Sequence, residues 1–188
     1  MTVLTEPDTA IRVVHDLTEG AWFGGMLMGA VAIDAATRAV PQEDARIDVA
    51  DRAWQAWHRV STPVILGHLL AGAGMTYTNR ARLVGQTGVT TTSAIRALAT
   101  GSALIAELRA RSLGRKIGKA ASQPVEGSTT PGPDTDPEIA DLQRRLRRTQ
   151  WTAVACTATL VALGAVMGEQ QRPTNVVRGA VQRLRAVA

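Results

Sequence analysis

Two stretches of twenty residues, Val60–Asn79 and Thr149–Gly168, carry no formal charge. As helices rising about 1.5 Å per residue, each reaches about 30 Å, the thickness of a bilayer's hydrocarbon core. The sequence therefore predicts an integral membrane protein of the all-α class. The expected architecture is a four-transmembrane-helix bundle with a C-terminal amphipathic helix, forming a single integral membrane domain over residues 1–188.

Four helices fit the pattern best. The first covers 11–37, and its charge-free centre, Gly20–Ile33, is only 14 residues long, so the span must include Glu19 or Asp34. The second covers 55–79, with Pro63 in its first membrane turns, where the missing N–H predicts a kink. The third, 87–112, contains Arg96 and a Thr-rich start of poor helix propensity. The fourth covers 141–168. Trp54, Trp57 and Trp151 fall at span ends and are expected to act as interfacial anchors. Residues 120–137, rich in Pro, Gly, Ser and Thr, predict a flexible cytoplasmic linker. Asp134 or Asp136 would cap the helix that follows, with Pro137 in its first turn. In the tail, 174–188, Val177, Val181, Leu184 and Val187 share one helical face, the pattern of an amphipathic helix lying on a membrane.

The net charge of +5 comes from 19 Arg and 2 Lys against 16 acidic residues. The four Trp lie apart from the basic cluster at 144–148, which leaves no base-stacking surface and argues against nucleic acid. The arginines are expected instead to face the anionic headgroups of a lipid bilayer. With four spans, thirteen Lys and Arg fall in the 38–59 and 109–148 flanks and seven on the other side. The positive-inside rule then makes those flanks cytoplasmic and places both termini outside. Arg-over-Lys usage and abundant Ala, Val, Gly and Thr fit a GC-rich bacterial genome, hence a bacterial cytoplasmic (inner) membrane. The N-terminus has Glu6 and Asp8 and no basic n-region, so by pattern it is no cleavable signal. The single Cys156 allows no intrachain disulfide.

Some residues stand out chemically. Gly20 with Gly24, and Gly25 with Gly29, form two GxxxG pairs on the first helix, the spacing that admits a close helix neighbour. His68 lies mid-span in the second helix. An ionisable residue at membrane depth is a functional candidate, and a lone charge there is costly. Glu19, His68 and Arg96 fall at similar depth and are expected to meet as an intramembrane polar cluster, with Thr91, Thr92 and Ser93 nearby. A haem shared by His15 and His68 is not expected. Measured from Asp34 and Arg59 as a common boundary, the two differ in depth by about 15 Å at 1.5 Å per residue. Met- or His-rich clusters are missing from the sequence, so no metal and no cofactor is expected.

His15 is followed, seven residues on, by Trp22-Phe23-Gly24-Gly25. This resembles the His-x6-Trp-[Leu/Phe]-Gly-Gly opening of copper-resistance D-type membrane proteins. Over most of its length the chain is similar to a group of small four-helix membrane proteins of unknown function from high-GC Gram-positive bacteria. That likeness rests on the Trp22–Gly25 helix, Leu113-Gly114-Arg115-Lys116, Pro124-Val125-Glu126-Gly127 and the stretch from Gly168 to Pro173. It implies four membrane helices in a bacterium and carries no activity with it.

No complete catalytic constellation is legible, so the chain is not expected to be an enzyme. The favoured expectation is a small accessory or scaffold subunit packing against a larger membrane complex. The second is a binder or transporter of a small molecule, ion or proton, built on the polar cluster. The third is a haem or copper redox protein. A scaffold should expose an apolar or glycine face, whereas a transporter should show a water-reachable cavity beside His68.

Overall fold

The helical periodicity of the sequence is realised throughout the computed structural model, which describes residues 7–80, 89–120 and 122–170. Helix α1 (Pro7–Met28) passes through a π-helical turn (Gly29–Ile33) into the short α2 (Asp34–Arg38). A 3-10 turn (Glu43–Ala45) leads to α3 (Arg46–Thr78), followed by α4 (Val89–Gly118) and α5 (Pro137–Gln170). The four long helices pack as an all-α bundle. The expected amphipathic tail, 174–188, lies outside the described residues.

Helix α1 packs on α3 and on α5, and α5 packs along α4. Helices α3 and α4 make far less contact with each other. The core between the elements holds Trp22, Met26, Ala103, Ala153 and Leu160. Trp22 and Leu160 are fully buried, and a buried side chain of this kind stabilises by about 1.5–3 kcal/mol.

The α1–α3 contact rests on two glycines. A Cβ on Gly29 would fall 2.8 Å from Trp54 Cζ2, and one on Gly25 would fall 2.7 Å from Trp57 Cε2. Trp54 and Trp57 thus seat their rings on the backbone of α1 and are half-buried. The residues expected as interfacial anchors thus form a wedge between two helices. Trp151, on α5, is 46% exposed. Gly20 and Gly24 differ from Gly25 and Gly29: both are exposed, and nothing lies within 4 Å of a Cβ built on either. The two GxxxG pairs follow one another with an offset of five residues, which at about 100° per residue turns them to faces about 140° apart.

Helix α3 starts nine residues before the expected boundary. Its added turns are amphipathic: Ile47 is buried in a second cluster with Leu113, Ile117 and Leu146. The outer face is tied by Arg52 to Asp48 at 3.0 Å and Gln55 to Asp51 at 2.7 Å, both i,i+4 pairs. Pro63 sits inside α3 without ending it.

The expected flexible linker is held down. Asp34 Oδ1 accepts hydrogen bonds from the Thr129 backbone N–H at 2.7 Å and the Thr129 hydroxyl at 3.0 Å. Asp34 Oδ2 accepts from the Thr130 hydroxyl at 3.0 Å and from Arg38 at 2.8 Å. The Ser128 N–H donates to Thr37 Oγ1, and Gln143 Nε2 donates to the Gly127 carbonyl. Val125 is buried in the second cluster. A loop-forming composition sets the absence of helix, not mobility; the Ser-Thr-Thr hydroxyls and the Thr129 amide satisfy one partly buried carboxylate and fix the segment. Gly127 is required there, because a Cβ would fall 2.8 Å from Asp34 Oδ1. Asp136 does cap α5: its Oδ1 accepts from the Glu138 N–H at 2.8 Å, with Pro137 as first helical residue.

Among the described residues one helix, Pro137–Glu169, is long and apolar enough to cross a membrane, and 22% of its apolar stretch is buried in the bundle. Gly, Thr, His68 and Pro63 dilute α3, and Arg96 with a Thr run dilutes α4.

Candidate polar centre and its cavity

His15, Glu19 and Trp22 occupy one face of α1 at helical spacing and point into the bundle. His68 reaches them from α3 and Arg96 from α4. His15, Glu19 and His68 are 3%, 4% and 2% exposed. Arg96 forms an ion pair with Glu19 and donates to the Leu160 carbonyl of α5 at 3.2 Å. Its NH2 group also lies 3.3 Å from His15 Nε2. A guanidinium only donates, so His15 Nε2 is the acceptor and the imidazole proton sits on Nδ1. That proton faces Asp16 Oδ1 at 3.1 Å, with Glu19 Oε2 at 3.6 Å. The His15 and His68 rings lie 4.4 Å apart, and the Trp22 ring meets His68 edge-on at 5.8 Å.

Glu19, His68 and Arg96 are therefore brought together, as their depths along the helices led one to expect. His15 belongs with them, which corrects the separation of about 15 Å inferred for it. The error lay in the zero of the ruler. Trp54 packs on Gly29, Trp57 on Gly25, and His15 beside Gly72. Asp34 thus lies level with the early turns of α3, well below Arg59, and His15 descends to His68. The signal that could have found this is the glycine register of α1 and α3. The rings, tilted by 34° with centroids 4.4 Å apart, leave no room for a porphyrin between them. Of the neighbouring hydroxyl residues, Thr92 is buried, Ser93 lines the cavity described next, and Thr91 is exposed.

The weak α3–α4 contact leaves an open cavity of about 470 Å3 above this centre. Arg12, His15, Asp16, His68 and Arg96 give it a polar floor, and Leu69, Met75, Leu104 and Met167 give it apolar walls. Asp16, 61% exposed, lies at its mouth. Several buried polar atoms have no hydrogen-bond partner among the described residues: Glu19 Oε1, His68 Nδ1 and Trp22 Nε1. Each such atom forgoes about 1–3 kcal/mol. A second cavity of about 470 Å3 lies between the other ends of α3 and α4, lined by Trp54, His58, Glu107 and Arg111. There Arg111 pairs with Glu107 at 2.9 Å and donates to Ser61 and Thr62 of α3.

At the polar end of the bundle, Asp34 lies below the apolar helix centres. Burial raises its pKa, but the Thr129 amide, the Thr130 and Thr129 hydroxyls and Arg38 together outweigh burial and hold it below the ordinary aspartate value.

No protein-family model matches the chain, and neither a curated protein nor a solved structure matches it.

Proposed function

We propose that the chain is a multi-pass protein of a bacterial cytoplasmic membrane that binds a small molecule or ion at the His15–Glu19–His68–Arg96 centre. The observation that carries this reading is the convergence of His15, His68 and Arg96 from three helices on the floor of an open cavity, with Glu19 buried against them and buried atoms there without a partner among the described residues. Pockets of about 300–1,000 Å3 with apolar walls and a few convergent polar groups are the usual form of a ligand site.

The membrane setting is supported by what the helices expose. Large apolar side chains point outward from every long helix: Leu17 and Met28 on α1, Leu66 and Leu70 on α3, Leu98 and Ile105 on α4, Val161 and Val166 on α5. The charges at the same level, Glu19 and Arg96, are turned inward and paired. That is how ionisable residues are accommodated in a bilayer.

Ligand binding is tested by extracting the protein with its native lipids and weighing it intact. A small adduct on the wild type that is missing from His68→Ala is the expected result. In a Cys156→Ser background, Ala73→Cys should also react with a water-soluble thiol reagent. An unreactive Ala73→Cys would show the cavity closed to water and sink the proposal.

A second reading, an accessory subunit of a larger complex, is favoured by the exposed Gly20–Gly24 pair between Leu17 and Met28 on α1. Small residues at this spacing suit a close helix neighbour, and none of the described residues supplies one there.

A further inference from the structure

We infer that the centre is a transition-metal site, in which a divalent ion is held by His15, Glu19 and His68 in exchange with the Arg96 guanidinium. The inference rests on the ligand-binding reading above and names the class of ligand.

Each of the three residues can offer one donor atom such that all three atoms lie within 4.8 Å of one another, and all three residues are buried. In a tetrahedral site with metal–nitrogen bonds of about 2.0–2.1 Å, donors stand about 3.4 Å apart. Closing the remaining gap of about 1.4 Å takes side-chain rotation, not helix movement. Two imidazoles and one carboxylate suit zinc, copper, nickel or iron, and not magnesium or calcium, which prefer all-oxygen shells. Three protein donors leave a fourth position, and the cavity supplies water or a ligand to it.

Arg96 places a permanent cation beside the donors, and it does so at a telling point. The NH2 group lies where the Glu19 carboxylate and the lone pair of His15 Nε2 converge. The guanidinium thus lies against two of the three residues that a metal would take. His68 Nδ1 and Glu19 Oε1 are buried with no hydrogen-bond partner among the described residues. A guanidinium therefore satisfies part of a donor set that a metal would satisfy more fully. Arg96 lines the cavity, and its long side chain can withdraw into it. Arg96 is then a resident counter-cation that sets metal affinity by competition.

The test is titration of the metal-free protein, in detergent and without an affinity tag, with cobalt(II) and then zinc(II). Only three histidines exist in the chain, so His58→Ala controls for binding elsewhere. The expected result is one cobalt(II) per chain with a visible absorption band, displaced by zinc(II). His68→Ala should weaken binding at least tenfold, His58→Ala should leave it unchanged, and Arg96→Gln should tighten it at least tenfold. Because Arg96→Gln loosens the bundle, its thermal stability is also followed, and zinc(II) should restore it. Wild-type protein that binds no more cobalt(II) than His68→Ala overturns the metal site, as does an Arg96→Gln variant whose affinity falls. If a small adduct and cavity labelling persist in that case, the ligand-binding reading survives and only the metal is lost.

Discussion

Trp57 occupies the volume that any side chain at position 25 would need. A Cβ on Gly25 would lie 2.7 Å from its Cε2 and closer still to Cζ2, and Trp54 stands in the same relation to Gly29 one turn away. The two rings are large and half-buried between α1 and α3, so neither can step aside without uncovering the contact. Gly25→Leu should therefore destabilise the protein by about 1–3 kcal/mol, the usual range for overpacking. Gly25→Leu combined with Trp57→Ala should recover part of that loss, as contacting positions do. Thermal unfolding of the single and double variants checks both. Equal losses for Gly25→Leu and Gly24→Leu would contradict the contact.

Gly24→Leu is informative in its own right. The position is exposed and a Cβ there meets nothing within 4 Å. Intrinsic stability should change by no more than about 0.5 kcal/mol, the scale of an uninvolved surface site. If the Gly20–Gly24 face docks a helix of a larger complex, the same variant should lose that complex on gentle extraction. Stable monomer with complex intact would mean that this face meets lipid.

Arg96→Leu should loosen the bundle although it makes α4 more apolar. It strands the Glu19 carboxylate, 5% exposed, in the interior. Removing one partner of a buried pair costs about 3–5 kcal/mol. Glu19→Gln together with Arg96→Leu should regain part of it. Additive losses in the double variant, read by denaturation in detergent, would show the two residues uncoupled.

Asp34 gives the 122–136 segment a pH dependence of known sign. Its folded pKa is lowered from 3.8, so its stabilisation is fully present above that value and is lost as pH falls below it. Protease cutting within 122–136 should be slow at neutral pH and should rise as pH falls below 3.8. Asp34→Ala should expose the segment at neutral pH, by losing charge-assisted hydrogen bonds worth about 1.5–3 kcal/mol each, not additively. An acid-stable protease assayed against a peptide control separates this from enzyme activation.

Orientation is checked at the same segment. Ser128 is 6% exposed and bonded to Asp34, so a label belongs at exposed Asp134. Asp134→Cys in a Cys156→Ser background should resist a membrane-impermeant thiol reagent in intact cells and react after lysis. Reaction in intact cells would place the Arg-rich flanks outside.

Helices were legible in the sequence because apolar spacing and charge-free length are local properties. The Glu19–Arg96 pairing was legible too, since a charge on an otherwise apolar helix must find a partner. Three matters were not. That Trp54 and Trp57 pack on Gly29 and Gly25 was not visible, because which residue sits beneath which is a pairwise fact. The linker reads as mobile because composition counts hydroxyls without showing the carboxylate they surround. His15 was misplaced because helix register cannot be measured from charges that lie at different heights. Each of these depends on a contact between segments far apart in the chain, where single-residue preferences carry no information.

The π turn at Gly29–Ile33 works as a vernier between two interlocking scales. Upstream, the phase of α1 is set by the indoles resting on Gly25 and Gly29; downstream, it is set by the carboxylate of Asp34 and the hydroxyl of Thr37, which must meet Ser128–Thr130. A regular helix turns by about 100° per residue, so one residue more or fewer rotates everything beyond it by that amount. Four-residue spacing alone would satisfy one scale and miss the other. The widened turn absorbs one residue and lets both be read at once. Wound as a regular α-helix with the same number of residues, this stretch would keep the indoles seated and turn the carboxylate about 100° away from its loop.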